Sequence, residues 1–356
     1  MQKPAASRQK VVGRKAGIRY QVFGVRLHST LTLVAVSLLL FSASASAQDM
    51  SIHNHMNSGL PSGGSEANAD TNTTQDWAKQ RLAKSPRHQE WVKVKNGNRE
   101  VNSFVVYPEV KRKATAVIVI HEIFGMSDWV QSLTDELAEA GYIAIAPDLL
   151  SGMGPGGGGT GALSATGNNA VGQAIRDLAP NQITADLNAV GDYVSKLPAA
   201  NGKVVVAGYC WGGSQTFRFA TNRQSLKAAF VFYGSAPTTG PQNSQVSDKD
   251  GLARISAPVY GFYAGNDARI GATVPPTVDA MKELKKPYDP VTYDGAGHGF
   301  MRAGDAPEPK VPETKGDKEA DDKAAVDYQK ALTAYKANKK ARDEAWVRWK
   351  AILAKI

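Results

Sequence analysis

Cysteine is almost absent: the 356 residues contain one, Cys210. A lone thiol excludes an internal disulfide framework and any zinc site assembled from several thiolates. Membrane-length apolar runs are lacking too. The apolar stretch at residues 31–41 has eleven residues, whereas a bilayer-spanning helix needs about 20, so a multi-span membrane protein is excluded. An excess of one charge also vanishes on inspection. The formal charge is +9, but Lys3, Arg8, Lys10, Arg14, Lys15, Arg19 and Arg26 all precede residue 48 with no acid among them. The remainder holds 35 bases against 33 acids, so the basic pI of 9.4 gives no reason to expect a nucleic-acid partner. With 42% hydrophobic and 21% charged residues, a mostly disordered chain and a collagen-like repeat are excluded as well.

What is present begins with an address. The basic stretch leads into the apolar run and then into Ser42-Ala43-Ser44-Ala45-Ser46-Ala47. A basic region, a short apolar run and an A-x-A site form the plan of a secretory signal peptide. Cleavage after Ala47 is expected, giving an exported, periplasmic or secreted protein with no stable membrane insertion; the alternative is an uncleaved anchor. Residues 48–88 are polar, rich in Ser, Asn, Gly and Thr and without apolar periodicity, so they read as a flexible leader. His53 and His55 stand in it as a solvated pair.

From residue 89 the chain alternates. Segments 91–95 and 101–107 flank Asn96-Gly97-Asn98, a hairpin signal. Segment 116–120 is a fully apolar, β-branched run, as expected of a strand buried on both faces, and 142–146 and 203–207 are expected as further buried strands. Further strands are expected at 228–233, 259–263 and 290–293, and helices at 127–140 and 183–197. Such alternation over about 200 residues predicts an α/β domain at 89–302 with a mostly parallel central sheet and helices on both faces. Two stretches break the rhythm. Residues 151–165 carry seven glycines but no Gly-Lys-Ser/Thr, which excludes a phosphate loop and suggests a flexible loop or lid. Residues 303–356 read as a charged linker followed by a helix. Its apolar positions Tyr328, Leu332, Tyr335, Trp346, Trp349, Leu353 and Ile356 mark a face for packing on the domain. Its mixed charges mark a solvated face or a surface for a partner.

The chemistry gathers at strand ends. The expected strand 203–207 runs into Gly208-Tyr209-Cys210-Trp211-Gly212-Gly213 and then a helix, the strand–turn–helix setting of a nucleophile elbow with Cys at its apex. Glycines at 208 and 212 suit the close approach of strand and helix. The helix start favours thiolate over thiol. Ser214 lies past the turn, inside the helix, which disfavours a serine nucleophile. Of six histidines, His28, His53, His55 and His88 lie in or beside the N-terminal segments. His298 stands in a Gly-rich loop after an expected strand, and Asp267 follows strand 259–263. Nucleophile, acid and then His is the α/β-hydrolase order. His121-Glu122-Ile123-Phe124-Gly125 has no second His four residues on, which excludes a zincin motif. It follows a buried strand, where the loop supplying an oxyanion N–H, here that of Ile123, would partner the N–H of Trp211.

Together His-Glu-Ile-Phe-Gly at 121–125, Ala146-Pro147-Asp148-Leu149, the nucleophile turn, the Asp267 loop and Gly297-His298-Gly299-Phe300-Met301-Arg302 resemble the dienelactone hydrolase family of the α/β-hydrolase superfamily. The resemblance spans about residues 90–302 and the helix around Trp346. It implies a triad of Cys210, Asp267 and His298, a Glu122 that contacts and helps activate the thiol, and an Arg302 that binds a substrate carboxylate. Glu122 is expected at the mouth of the pocket. The expected reaction is hydrolysis of an ester or lactone through a thioester, with no metal or organic cofactor, by a monomer. The competing expectation is a non-catalytic exported envelope or binding protein that uses the charged C-terminal helix.

Overall fold

A computed structural model describes residues 75–167, 169–239 and 246–356. The expected signal peptide and residues 48–74 of the expected leader lie outside the described residues. The rest of that leader is not featureless: Asp76–Lys84 forms helix α1. Sequence periodicity missed it because the helix is short and strongly polar, with Ala78 its buried residue. Its anchors are side-chain bonds. Gln75 Oε1 accepts from the Trp129 amide at 2.7 Å, and Arg81 reaches Glu139 and Asp305.

The expected hairpin is β1 (Gln89–Asn96) and β2 (Arg99–Val106), antiparallel with Trp91 opposite Phe104. Then follow β3 (Ala114–Ile120), α2 (Asp128–Glu139) and β4 (Ile143–Pro147). The glycine-rich stretch holds a 3-10 turn at Pro155–Gly157 and α3 (Thr160–Ser164), followed by α4 (Ala170–Asp177). After them come α5 (Pro180–Ser195), β5 (Ala200–Tyr209), α6 (Trp211–Asn222), β6 (Ala229–Phe232) and α7 (Lys249–Ala253). The chain continues with β7 (Val259–Ala264), α8 (Ala268–Gly271), α9 (Val274–Glu283), β8 (Tyr288–Tyr293) and α10 (Lys318–Leu353).

The eight strands form one sheet in the order β1-β2-β4-β3-β5-β6-β7-β8. β2 runs antiparallel to β4, and every pairing from β4 to β8 is parallel. The apolar runs that suggested doubly buried strands are just that: all seven residues of β3 and all five of β4 are buried. One face is covered by α2 and α10 through Leu133, Leu137, Ala345 and Trp349. The other is covered by α5, α6 and α9 through Leu187, Val190, Phe217 and Met281. The C-terminal helix begins at Lys318, earlier than its apolar pattern suggested. Asp317 caps it, accepting from the Glu319 and Ala320 amides. Among the described residues, no helix is long and apolar enough to cross a membrane.

Parallel pairing has a consequence for function. Ile120 pairs with Gly208, Tyr209 with Phe232, and Ala264 with Tyr293. The carboxyl ends of β3, β5, β6, β7 and β8 therefore open onto one edge of the sheet, where α/β proteins place their sites.

Candidate active site

Cys210 sits at that edge, between β5 and α6, with φ +55° and ψ −118°. A side chain in such a conformation is strained, which lifts it out of both flanking elements. The turn is held from two sides. The Cys210 amide donates to the Phe232 carbonyl of the neighbouring strand at 3.1 Å, and the glycines allow backbone contact. A Cβ on Gly212 would lie 2.3 Å from the His121 carbonyl oxygen, and one on Gly208 would lie 2.2 Å from that of Gly212. Ser214, inside α6, accepts from the Ser235 amide at 3.0 Å, which gives it a structural task.

The loop after β7 supplies Asp267 and the loop after β8 supplies His298. Asp267 caps α8, with Oδ1 accepting from the Ile270 amide at 3.2 Å, and its Oδ2 lies 2.5 Å from His298 Nδ1. Cys210 stands next to the imidazole and acts on its titration. Burial pulls the His298 pKa down, but the bonded Asp267 carboxylate and the neighbouring Cys210 outweigh it, and the pKa rises to about 9. Burial likewise works against the Asp267 carboxylate, yet the His298 bond and charge keep its pKa below the usual value. The structure thus joins His298 to Asp267 by a hydrogen bond and sets Cys210 beside the imidazole.

Glu122 lies elsewhere than expected. It is 2% exposed, within the site rather than at its mouth, because the tight turn closed by the Glu122–Gly125 bridge folds it inward. Its Oε1 accepts from Tyr233 Oη at 3.3 Å, and its Oε2 is 3.6 Å from Arg302 Nε. Arg302 is itself buried and lies 5.5 Å over the Phe124 ring. The residue expected to meet a substrate carboxylate is therefore engaged with Glu122. Among the described residues, the Ile123 and Trp211 amides donate to no protein acceptor.

Tyr233 escaped the sequence reading. It follows β6 at φ +38°, donates to Glu122 and sets its ring edge-on to His298, with centroids 5.0 Å apart. Its one sequence signal is its place at the end of a buried strand. The glycine-rich stretch is tied down at its C-terminal end. Asp148 accepts from the Thr160 amide and hydroxyl, each at 2.8 Å, and Thr160 Oγ1 accepts from the Met126 amide at 3.1 Å. Beside the site, Ile123, Phe124, Met126, Thr160, Val171 and Arg176 line part of a cavity of about 820 Å³.

The mostly parallel sheet flanked by helices, with a strained turn between β5 and α6, is an α/β-hydrolase fold. The dienelactone hydrolase family profile matches residues 101–356, and the chain belongs to that family. A Salmonella typhi protein curated under the carboxymethylenebutenolidase name is 30% identical over 185 residues, covering 52% of this chain and 67% of that protein. A Saccharolobus solfataricus protein of the same name is 27% identical over 235 residues, covering 57% of this chain and 84% of the other. Two crystal structures share the fold. One, from Klebsiella pneumoniae and described as a dienelactone hydrolase, has a TM-score of 0.54 at 23% identity over 70% of this chain and 98% of its own. The other, a promiscuous dienelactone hydrolase-like phosphotriesterase from metagenomic libraries, has a TM-score of 0.54 at 18% identity over 76% and 98%.

Proposed function

We propose that this dienelactone hydrolase family member cleaves a carboxylic ester or lactone through a thioester on Cys210. The reading is carried by the Asp267–His298 hydrogen bond set beside Cys210 at the apex of a strained elbow. With its pKa raised to about 9, His298 is an imidazolium at neutral pH beside the Cys210 sulfur. The sulfur attacks the carbonyl carbon; an S–C bond forms and the carbonyl electron pair moves to oxygen. The Ile123 and Trp211 amides, which have no competing protein acceptor among the described residues, stabilise that oxyanion. As the oxyanion collapses, the C–O bond breaks and His298 gives its proton to the departing alkoxide.

The second half follows from electrostatics. Acylation removes the Cys210 charge that raised the imidazole pKa, so neutral His298 can take a proton from water. The hydroxide attacks the thioester carbonyl, the S–C bond breaks, the acid leaves, and the thiolate–imidazolium pair is restored. Asp267 holds the Nδ1–H tautomer throughout. Glu122, Tyr233 and Arg302 form a buried polar group next to this centre. A substrate carboxylate that attracts Arg302 would release Glu122 towards the thiol. Export is part of the proposal, supported by the basic, apolar and A-x-A sequence before Gln48.

Intact-mass measurement of protein recovered from outside the cytoplasm, after brief mixing with p-nitrophenyl acetate, tests both parts. The expected result is a chain beginning at Gln48 with one acetyl group, lost in Cys210→Ala. An unchanged hydrolysis rate in Cys210→Ala would overturn the thioester, and a chain beginning at Met1 would overturn cleavage of a signal peptide.

A further inference from the structure

His121 takes no part in the attack or the proton transfers, yet it is fully buried at the end of β3 with both ring nitrogens engaged. The Leu149 amide donates to Nε2 at 3.4 Å, so Nε2 carries the lone pair and the ring proton is on Nδ1. That proton goes to the Glu122 carbonyl oxygen at 2.8 Å. Only a neutral imidazole can accept on one side and donate on the other. Burial favours this form by lowering the pKa, against the nearby Asp148 carboxylate. The ring also lies against Trp211, with centroids 5.5 Å apart and planes within 16°.

The bond to Glu122 matters because that carbonyl and the Ile123 amide belong to one peptide unit. The described chain has no cis peptide bond, and in a planar trans peptide the C=O and N–H point in opposite directions. The Gly125 amide donates to the same carbonyl at 3.1 Å, so His121 is one of two donors that hold it and thereby turn the Ile123 N–H away from the imidazole. Stacking on Trp211 steadies the residue that carries the second amide. We propose that His121 is a positioning residue that aims the Ile123 N–H of the oxyanion hole and fixes it relative to that of Trp211.

This inference rests on the thioester reading above, and its test separates the two. Ester hydrolysis passes through an oxyanion, whereas alkylation of the same thiol by iodoacetamide displaces iodide at a saturated carbon and creates none. In His121→Leu, kcat for p-nitrophenyl acetate is expected to fall roughly 10- to 100-fold, less than the roughly 100- to 1,000-fold of losing a donor outright, because the amide is misaimed and not removed. KM should change little, and the iodoacetamide rate on Cys210 should stay near that of the wild type. His121→Gln, which can both donate and accept, should recover most of kcat. Should His121→Leu fail to fold, His121→Met carries the same comparison. A parallel fall in alkylation, an unaltered kcat, or a Gln variant as impaired as the Leu variant would overturn the positioning role. Hydrolysis that survives in Cys210→Ala would instead overturn the thioester reading on which it rests.

Discussion

The imidazole of His298 is pulled three ways: burial favours its neutral form, while the Asp267 carboxylate and the Cys210 sulfur favour its charged form and prevail. The sign of the pH dependence follows. A group with a raised pKa is protonated below it, so kcat/KM for ester should fall as pH rises through about 9, where the imidazolium of the resting pair is lost. Asp267→Asn removes one raising influence; it should move that limb to lower pH and reduce kcat by roughly a hundred- to ten-thousand-fold, because the tautomer is no longer held. A pH–rate profile of both proteins checks this. Linkage adds a stability counterpart. The His298 contribution is fully present below pH 6.5 and is lost as pH rises through about 9, so urea midpoints of wild type and His298→Gln should converge over that interval. Cys210, His298 and Asp267 were legible because catalysis needs a few residue types at strand ends. Tyr233 and the buried position of Glu122 were not, because they depend on a φ of +38° and on the turn closed between Glu122 and Gly125.

Among the elements, the β3–α2 loop that holds Ile123 depends on a segment distant in sequence. Thr160, the first residue of α3, accepts from the Met126 amide and donates to Asp148 at the end of β4. Gly125 makes room for it: at φ +68°, a Cβ there would lie 2.3 Å from Thr160 Oγ1. Thr160→Val keeps the volume but leaves the buried Met126 N–H without its acceptor, a loss of about 1–3 kcal/mol. Hydrogen exchange should quicken at Met126, and the urea midpoint should fall modestly. Composition alone suggested a flexible loop for residues 151–165, since glycines outnumber every other residue type there. It could not reveal the ties through Asp148 and Thr160, because they join residues 12 apart in sequence and carry no periodic signal. The strands were far more legible, since apolar β-branched runs leave few other places for a segment to go.

For the molecule as a whole, α10 returns the chain to the sheet beneath the nucleophile. Its charged N-terminal half is largely exposed, whereas Asn338, Ala341, Arg342, Ala345, Trp349 and Leu353 form a buried stripe. That spacing made the packing face legible at Trp349 and Leu353. The sequence did not reveal Arg342, which enters the stripe paired with the buried Glu136 of α2 and lying over the Trp346 ring. Trp349 is completely buried against Phe230, Phe232 and Tyr209, and Tyr209 immediately precedes Cys210. Its indole N–H has no hydrogen-bond partner among the described residues, so its contribution is packing rather than polar pairing. Trp349→Ala is therefore expected to cost about 3–5 kcal/mol of stability. Trp349→Phe, which loses volume but no hydrogen bond, should cost clearly less. Urea denaturation of both variants measures the two costs. Equal losses would mean that the indole N–H matters more than the space it fills, whereas the expected order makes the C-terminal helix part of the core that holds the elbow.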